Sequence, residues 1–94
     1  MKKVDANQPE IVAALRAAGC KVEPGLSQIG KGVPDLLVMS PAKGWILMEV
    51  KNGKLPPSRQ KLTPDEEDWI DRFKPGFVHV VNSAESALRA AGMI

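Results

Sequence analysis

Residues 45–51 constrain the fold more than any other stretch. Strand alternation puts Trp45, Leu47, Glu49 and Lys51 on one face and Ile46, Met48 and Val50 on the other. Both faces are apolar until the last few residues, the pattern of a central strand covered on both sides. At its end a carboxylate and an ammonium emerge together on one face, at the edge of whatever sheet forms.

The surrounding sequence supplies that sheet. Residues 35–39 read as a second strand with Asp35, Leu37 and Met39 on one face, and the intervening Ser40-Pro41-Ala42-Lys43-Gly44 suits a hairpin loop. Upstream, Ile11, Ala14, Leu15 and Ala18 recur at helical spacing, so a helix is expected over 7–18 with Gly19 as its stop. Asn7 with Glu10 three residues on has a capping-box pattern. A short strand over 21–26 and a glycine-bearing loop over 27–34 lead into the hairpin. Downstream, Thr63-Pro64 opens a second helix, Glu66 completes a capping box, and Trp69, Ile70 and Phe73 give it an apolar stripe in register with Glu66. After Pro75-Gly76, residues 77–81 read as a last strand and Ser83 caps a short helix carrying Ala84, Ala87, Leu88 and Ala91. The order is α-β-β-β-α-β-α. A strand, a helix and a strand in succession imply a parallel crossover, so the class is α/β with a mixed four-stranded sheet and flanking helices. No repeat or linker divides residues 1–94, and a chain of 94 residues holds one core, so one domain is expected.

With a five-residue loop, Met39 pairs with Trp45, and paired residue numbers sum to 84 along the hairpin. Asp35 then lies opposite Glu49. Opposed carboxylates about 5 Å apart repel by about 3 kcal/mol at an effective dielectric near 20. Something positive has to offset that: Lys51 is on the same face, and a divalent cation would do it more completely.

Composition narrows what such a site can be. One Cys and one His exclude a disulfide framework and any Cys/His metal set, so a bound metal would be held mainly by oxygen. No apolar run approaches a membrane span and the start Met-Lys-Lys-Val-Asp lacks a signal peptide's apolar stretch, so a cytoplasmic protein is expected. The net charge of +2 says little about partners, but its distribution says more. Lys51, Lys54, Arg59 and Lys61 fall within eleven residues containing no acid, whereas 65–71 holds five acids and no base. Lys31, Lys54, Arg59 and Lys61 are the candidates for sequence-independent phosphate contacts. Gly30 and Gly32 either shape their loop or let a phosphate backbone approach closely.

Gly32-Val33-Pro34-Asp35, followed fourteen residues on by Glu49-Val50-Lys51, resembles the PD-(D/E)XK nuclease signature. An acid in the first helix, the glycine-rich approach to Pro34-Asp35, Met48-Glu49-Val50-Lys51 and a helix opened by Leu62-Thr63-Pro64 resemble more narrowly its VRR-NUC branch, in the stand-alone form found in phages. The resemblance implies a restriction-endonuclease-like core and a DNA endonuclease needing Mg2+ or Mn2+ and no small-molecule cofactor. Asp35 and Glu49 would bind the metal with the Val50 carbonyl, Lys51 would be the catalytic lysine and Glu10 the helix-borne acid. Where many members carry Gln in the opening turn of the second helix, this chain has Glu66, a candidate for a supporting role. Members of this form resemble Holliday-junction resolvases, which implies a homodimer acting on branched DNA.

Each residue also has a plainer reading. Asp35 can be a turn residue after proline, Glu49 and Lys51 a surface ion pair, Glu10 and Glu66 simple helix caps, and His79 a structural histidine. At the level of function, the rivals are a nucleic-acid-binding module that keeps the nuclease fold without turnover and a protein-interaction module with a coincidental motif.

Overall fold

The computed structural model describes residues 4–73 and 75–94, so the first three residues of the stretch read for targeting signals lie outside it. The elements run α1 (Gln8–Ala17), β1 (Lys21–Pro24), β2 (Leu36–Ser40), β3 (Gly44–Val50), α2 (Pro64–Arg72), β4 (Val78–Val81) and α3 (Ala84–Ala90), with short 3-10 turns at Leu26–Ile29, Pro57–Arg59 and Pro75–Phe77. This is an α/β arrangement of three helices on a mixed four-stranded sheet of order β1-β2-β3-β4. β2 runs antiparallel to its neighbours β1 and β3, and β4 joins β3 in parallel after the α2 crossover.

The hairpin register follows the sum of 84: Met39 faces Trp45, Leu37 faces Leu47, and Leu36 faces Met48. The turn is tighter than the five residues expected, since Ser40 still pairs with Gly44. Gly44 there takes φ 76°, which glycine adopts without the Cβ penalty. The Ser40 hydroxyl accepts from the Ala42 and Lys43 N–H groups at 3.1 and 3.2 Å and donates to the Ala91 carbonyl, fastening the turn to the end of α3.

One sheet face carries the core. Val22, Leu36, Val38, Ile46, Met48, Val50 and Val81 pack against Ile11, Val12 and Leu15 of α1 and Ala87 and Ala91 around α3. The small residues of α3 let it approach α1 and the sheet closely. The other face departs from the expectation of full cover. α2 has nine residues and shields only part of it, so Trp45 is 65% exposed and Phe77 59%. The expected apolar stripe of α2 is likewise only partly buried. Ile70 and Glu66 are buried, Trp69 is half-buried, and Phe73 is exposed while stacking on Trp69 at 4.3 Å between ring centroids. Val78 and Val80 share this open face, and His79 lies on the core face beside Met48.

No helix among the described residues is long and apolar enough to cross a membrane.

Candidate active site

The site forms where the core-lined strands end. Asp35 immediately precedes β2 and Glu49 is the penultimate residue of β3, so the observed register, continued by one pair, sets them opposite each other. Both are buried, Asp35 at 4% and Glu49 at 1% exposure. Their neighbour Pro34 explains how the ladder stops. The next pair along the register is Pro34 with Val50, and proline has no N–H to give a strand partner. The Val50 N–H instead donates to Asp35 Oδ2 at 2.8 Å, which fixes the carboxylate across the strand end. In an extended strand the N–H and C=O of one residue share a side, so strand geometry sets the Val50 carbonyl toward Pro34, which has no N–H to donate to it.

Lys51 continues the strand and keeps its backbone tie to β4, with its N–H donating to the Val81 carbonyl at 2.8 Å. Its ammonium corrects one expectation. Glu66 Oε1 is the near partner at 2.7 Å, whereas Glu49 Oε2 lies at 3.9 Å. The same Glu66 oxygen accepts the Thr63 N–H at 2.8 Å, and the Thr63 hydroxyl accepts the Glu66 N–H at 3.2 Å. Glu66 is thus both a helix cap and an ion-pair partner, 2% exposed and aimed at the sheet. A cap fixed by two reciprocal hydrogen bonds holds the lysine in one place. One ammonium here serves two carboxylates.

The α1 capping box is not formed. Asn7 makes no cap hydrogen bond; its Nδ2 donates to the Lys51 carbonyl at 3.0 Å and to the Asn82 carbonyl at 3.1 Å. The ends of β3 and β4 present two carbonyls, and the two protons of the Asn7 amide serve both, which sets the orientation of that side chain. α1 is thereby pinned to the strand carrying Glu49 and Lys51. Glu10, released from any capping duty to Asn7, is exposed and lines a cleft of about 260 Å3 with Asn7, Asn52, Lys54, Asn82 and Ser83. That cleft opens beside the Lys51 backbone, and Glu10 is not among the groups gathered around the Lys51 ammonium.

The basic loop is ordered by amides. Gln60 Nε2 donates to the Leu55 carbonyl at 2.7 Å, Asn82 Nδ2 donates to Gln60 Oε1 at 3.0 Å, and the Lys54 N–H donates to Asn52 Oδ1 at 3.0 Å. Lys54, Arg59 and Lys61 remain exposed around it, and Lys31 is exposed on the opposite loop. Gly32 has a definite reason to be glycine. It takes φ 76°, and a Cβ there would overlap the Asp65 carbonyl, so the loop lies backbone to backbone on the first turn of α2. Gly30 is extended at φ 174° and is under no such constraint.

Among the described residues no group of three or more His, Cys, Asp or Glu side chains is placed to hold a metal. The set present is two opposed carboxylates and one strand-end carbonyl. All are hard oxygen donors, and magnesium commonly takes one or two carboxylates, completing its shell with water and substrate phosphate. The residues therefore fit such an ion without a third protein carboxylate. Sequence reasoning missed Asn7 and Gln60 as the groups that order the site's surroundings. Their contacts span 44 and 22 residues and leave no periodic mark.

Comparison with protein-family models, with curated proteins and with solved structures finds no match for this chain.

Proposed function

We propose that this chain is a metal-dependent endonuclease of the PD-(D/E)XK type, hydrolysing phosphodiester bonds in branched or otherwise irregular DNA. The observation that carries the reading is the burial of Asp35 and Glu49 at adjoining strand ends with Lys51 beside them. Burying like charges is unfavourable unless a cation or a reaction uses them. Asp35 and Glu49, with the Val50 carbonyl, would hold Mg2+ or Mn2+. Such an ion would polarise a phosphate oxygen and lower the pKa of bound water. The Lys51 ammonium, steadied by Glu66, is positioned to donate to a phosphate oxygen and stabilise the charge that gathers there. Lys31, Lys54, Arg59 and Lys61 would draw in the backbone without reading its sequence. Glu10 would join the site from the neighbouring cleft once DNA and metal are in place.

The test is a cleavage panel of single-stranded, duplex, flap and four-way-junction DNA with magnesium, manganese or chelator, comparing the unaltered chain with Glu49→Ala and Lys51→Ala. Metal-dependent cutting of the branched substrates is expected, with Glu49→Ala inactive and still able to bind. Cutting that persists in chelator, or full activity in Glu49→Ala, would overturn the proposal. A non-catalytic DNA-binding module is the second reading, favoured by the tight Lys51–Glu66 pair, which satisfies the lysine internally. Binding of junction DNA with no cutting in either metal would select it.

A further inference from the structure

The loop that carries Lys31 and the start of α2 enclose an open cleft of about 430 Å3 that no step above uses. Its floor includes Glu66, the residue that steadies Lys51, so it adjoins the proposed reacting centre. One wall is rigid, because Gly32 lies directly against the Asp65 backbone. The geometry points to this cleft as the receptor for one unpaired nucleobase next to the scissile phosphate. The inference rests on the nuclease reading and names the substrate class for it: DNA with at least one nucleotide outside the duplex stack at the cut.

Charge decides between base and phosphate as occupant. The first turn of α2 is Asp65-Glu66-Glu67, and Asp65 and Glu66 both line the cleft. Glu66 is buried and paired with Lys51, so the exposed Asp65 carboxylate is the group that repels a phosphate here, and Lys31 is the one cation among the described lining residues. The same groups suit base edges. Asp65 can accept from an exocyclic amine, and Ser27 and Gln28 add polar groups to the same lining. In a duplex these edges are already paired, so a base enters only after it is extruded or where a gap, flap or branch already frees it. No aromatic ring among the described residues lines the cleft, so the base is held by its edge and not by stacking. That makes the cleft a selector among DNA structures, while Lys54, Arg59 and Lys61 supply general affinity. Lys31 stands where the backbone leading into the cleft would pass.

Gly30 offers a means of filling the cleft. Gly30 lines the cleft, its backbone is extended, and a Cβ there would meet only the Val33 methyl at 3.4 Å, so Gly30→Leu adds bulk at the lining without backbone strain. Gln28→Ala removes an edge contact and adds no bulk. The experiment uses gapped and fully paired oligonucleotides carrying 2-aminopurine at the position of interest. In chelator, fluorescence of the unpaired probe should change on binding, and Gly30→Leu and Gln28→Ala should each reduce that change. In magnesium, the unaltered chain should cut the gapped substrate about tenfold faster than the paired one, and Gly30→Leu should bring that ratio within about threefold. An unresponsive probe in the unaltered chain, or an unchanged ratio in both variants, would overturn the inference. A responsive probe with no cutting in magnesium or manganese would uphold the base cleft and reject the nuclease.

Discussion

Replacing Glu66 with alanine tests the junction on which the candidate site depends. The side chain ion-pairs with Lys51 at 2.7 Å and accepts the Thr63 N–H at 2.8 Å, and both partners of the ion pair are largely buried. Removing one member of a buried pair costs about 3–5 kcal/mol, and losing half of a capping box adds about 1 kcal/mol. Lys51 keeps Glu49 at 3.9 Å and has some access to water, which offsets part of this. The expected loss is about 2–4 kcal/mol, and for a domain of this size Tm falls on the order of 10–20 °C. Glu66→Gln retains an acceptor for both donors and should lose about 1–2 kcal/mol. Urea unfolding followed by circular dichroism gives the free energies, and the fluorescence of Trp69, on the same helix, shows whether α2 detaches first. An alanine variant within about 0.5 kcal/mol of the parent would refute the reasoning, as would a glutamine variant as damaged as alanine.

Gly32→Ala combines a positive φ with overlap of the Asp65 carbonyl and should lose about 2–3 kcal/mol, whereas Gly25→Ala, at φ 84° with open space around it, should lose about 1 kcal/mol by thermal unfolding. Burial pushes the Cys20 thiol up, against the opposing effect of its Ser40 hydrogen bond. The folded state therefore favours the protonated thiol. Stability from it is complete below about pH 8.5 and is lost as pH rises through the higher folded value, a decline that Cys20→Ala should lessen in denaturation curves across pH 7–10. Trp45 is 65% exposed on the open sheet face, and if a second copy covers that face, Trp45→Glu should convert a dimer to a monomer in sedimentation velocity. An unaltered chain that sediments as a monomer at high concentration would exclude that interface.

The central hairpin was legible from its loop length, which sets a register that two apolar faces alone would leave open, and that register brings Asp35 to Glu49. The start of α2 was legible because a capping box is a local code written in four residues, and Thr63 and Glu66 obey it. The same code misled at Asn7, whose amide is turned to donate to two distant carbonyls instead of accepting a local N–H. The partial exposure of the sheet was hidden for a related reason. An apolar strand face reports a tendency to be covered, and the nine residues of α2 are too few to cover all of it. The preference of Lys51 for Glu66 over Glu49 depends on where a crossover helix lands, which no strand pattern encodes.

The amide of Asn7 sets a timetable. It grips the carbonyls of Lys51 and Asn82 together, and Lys51 itself hangs on the Val81 carbonyl, so the strand end is held from both termini of the described chain. During synthesis the hairpin that carries Asp35, Glu49 and Lys51 is made before residue 82, and until then the strand end lacks its ties to β4 and to the Asn82 carbonyl. Such contacts are far apart in sequence and form late. A chain interrupted before β4 would carry every signature side chain yet present no assembled site.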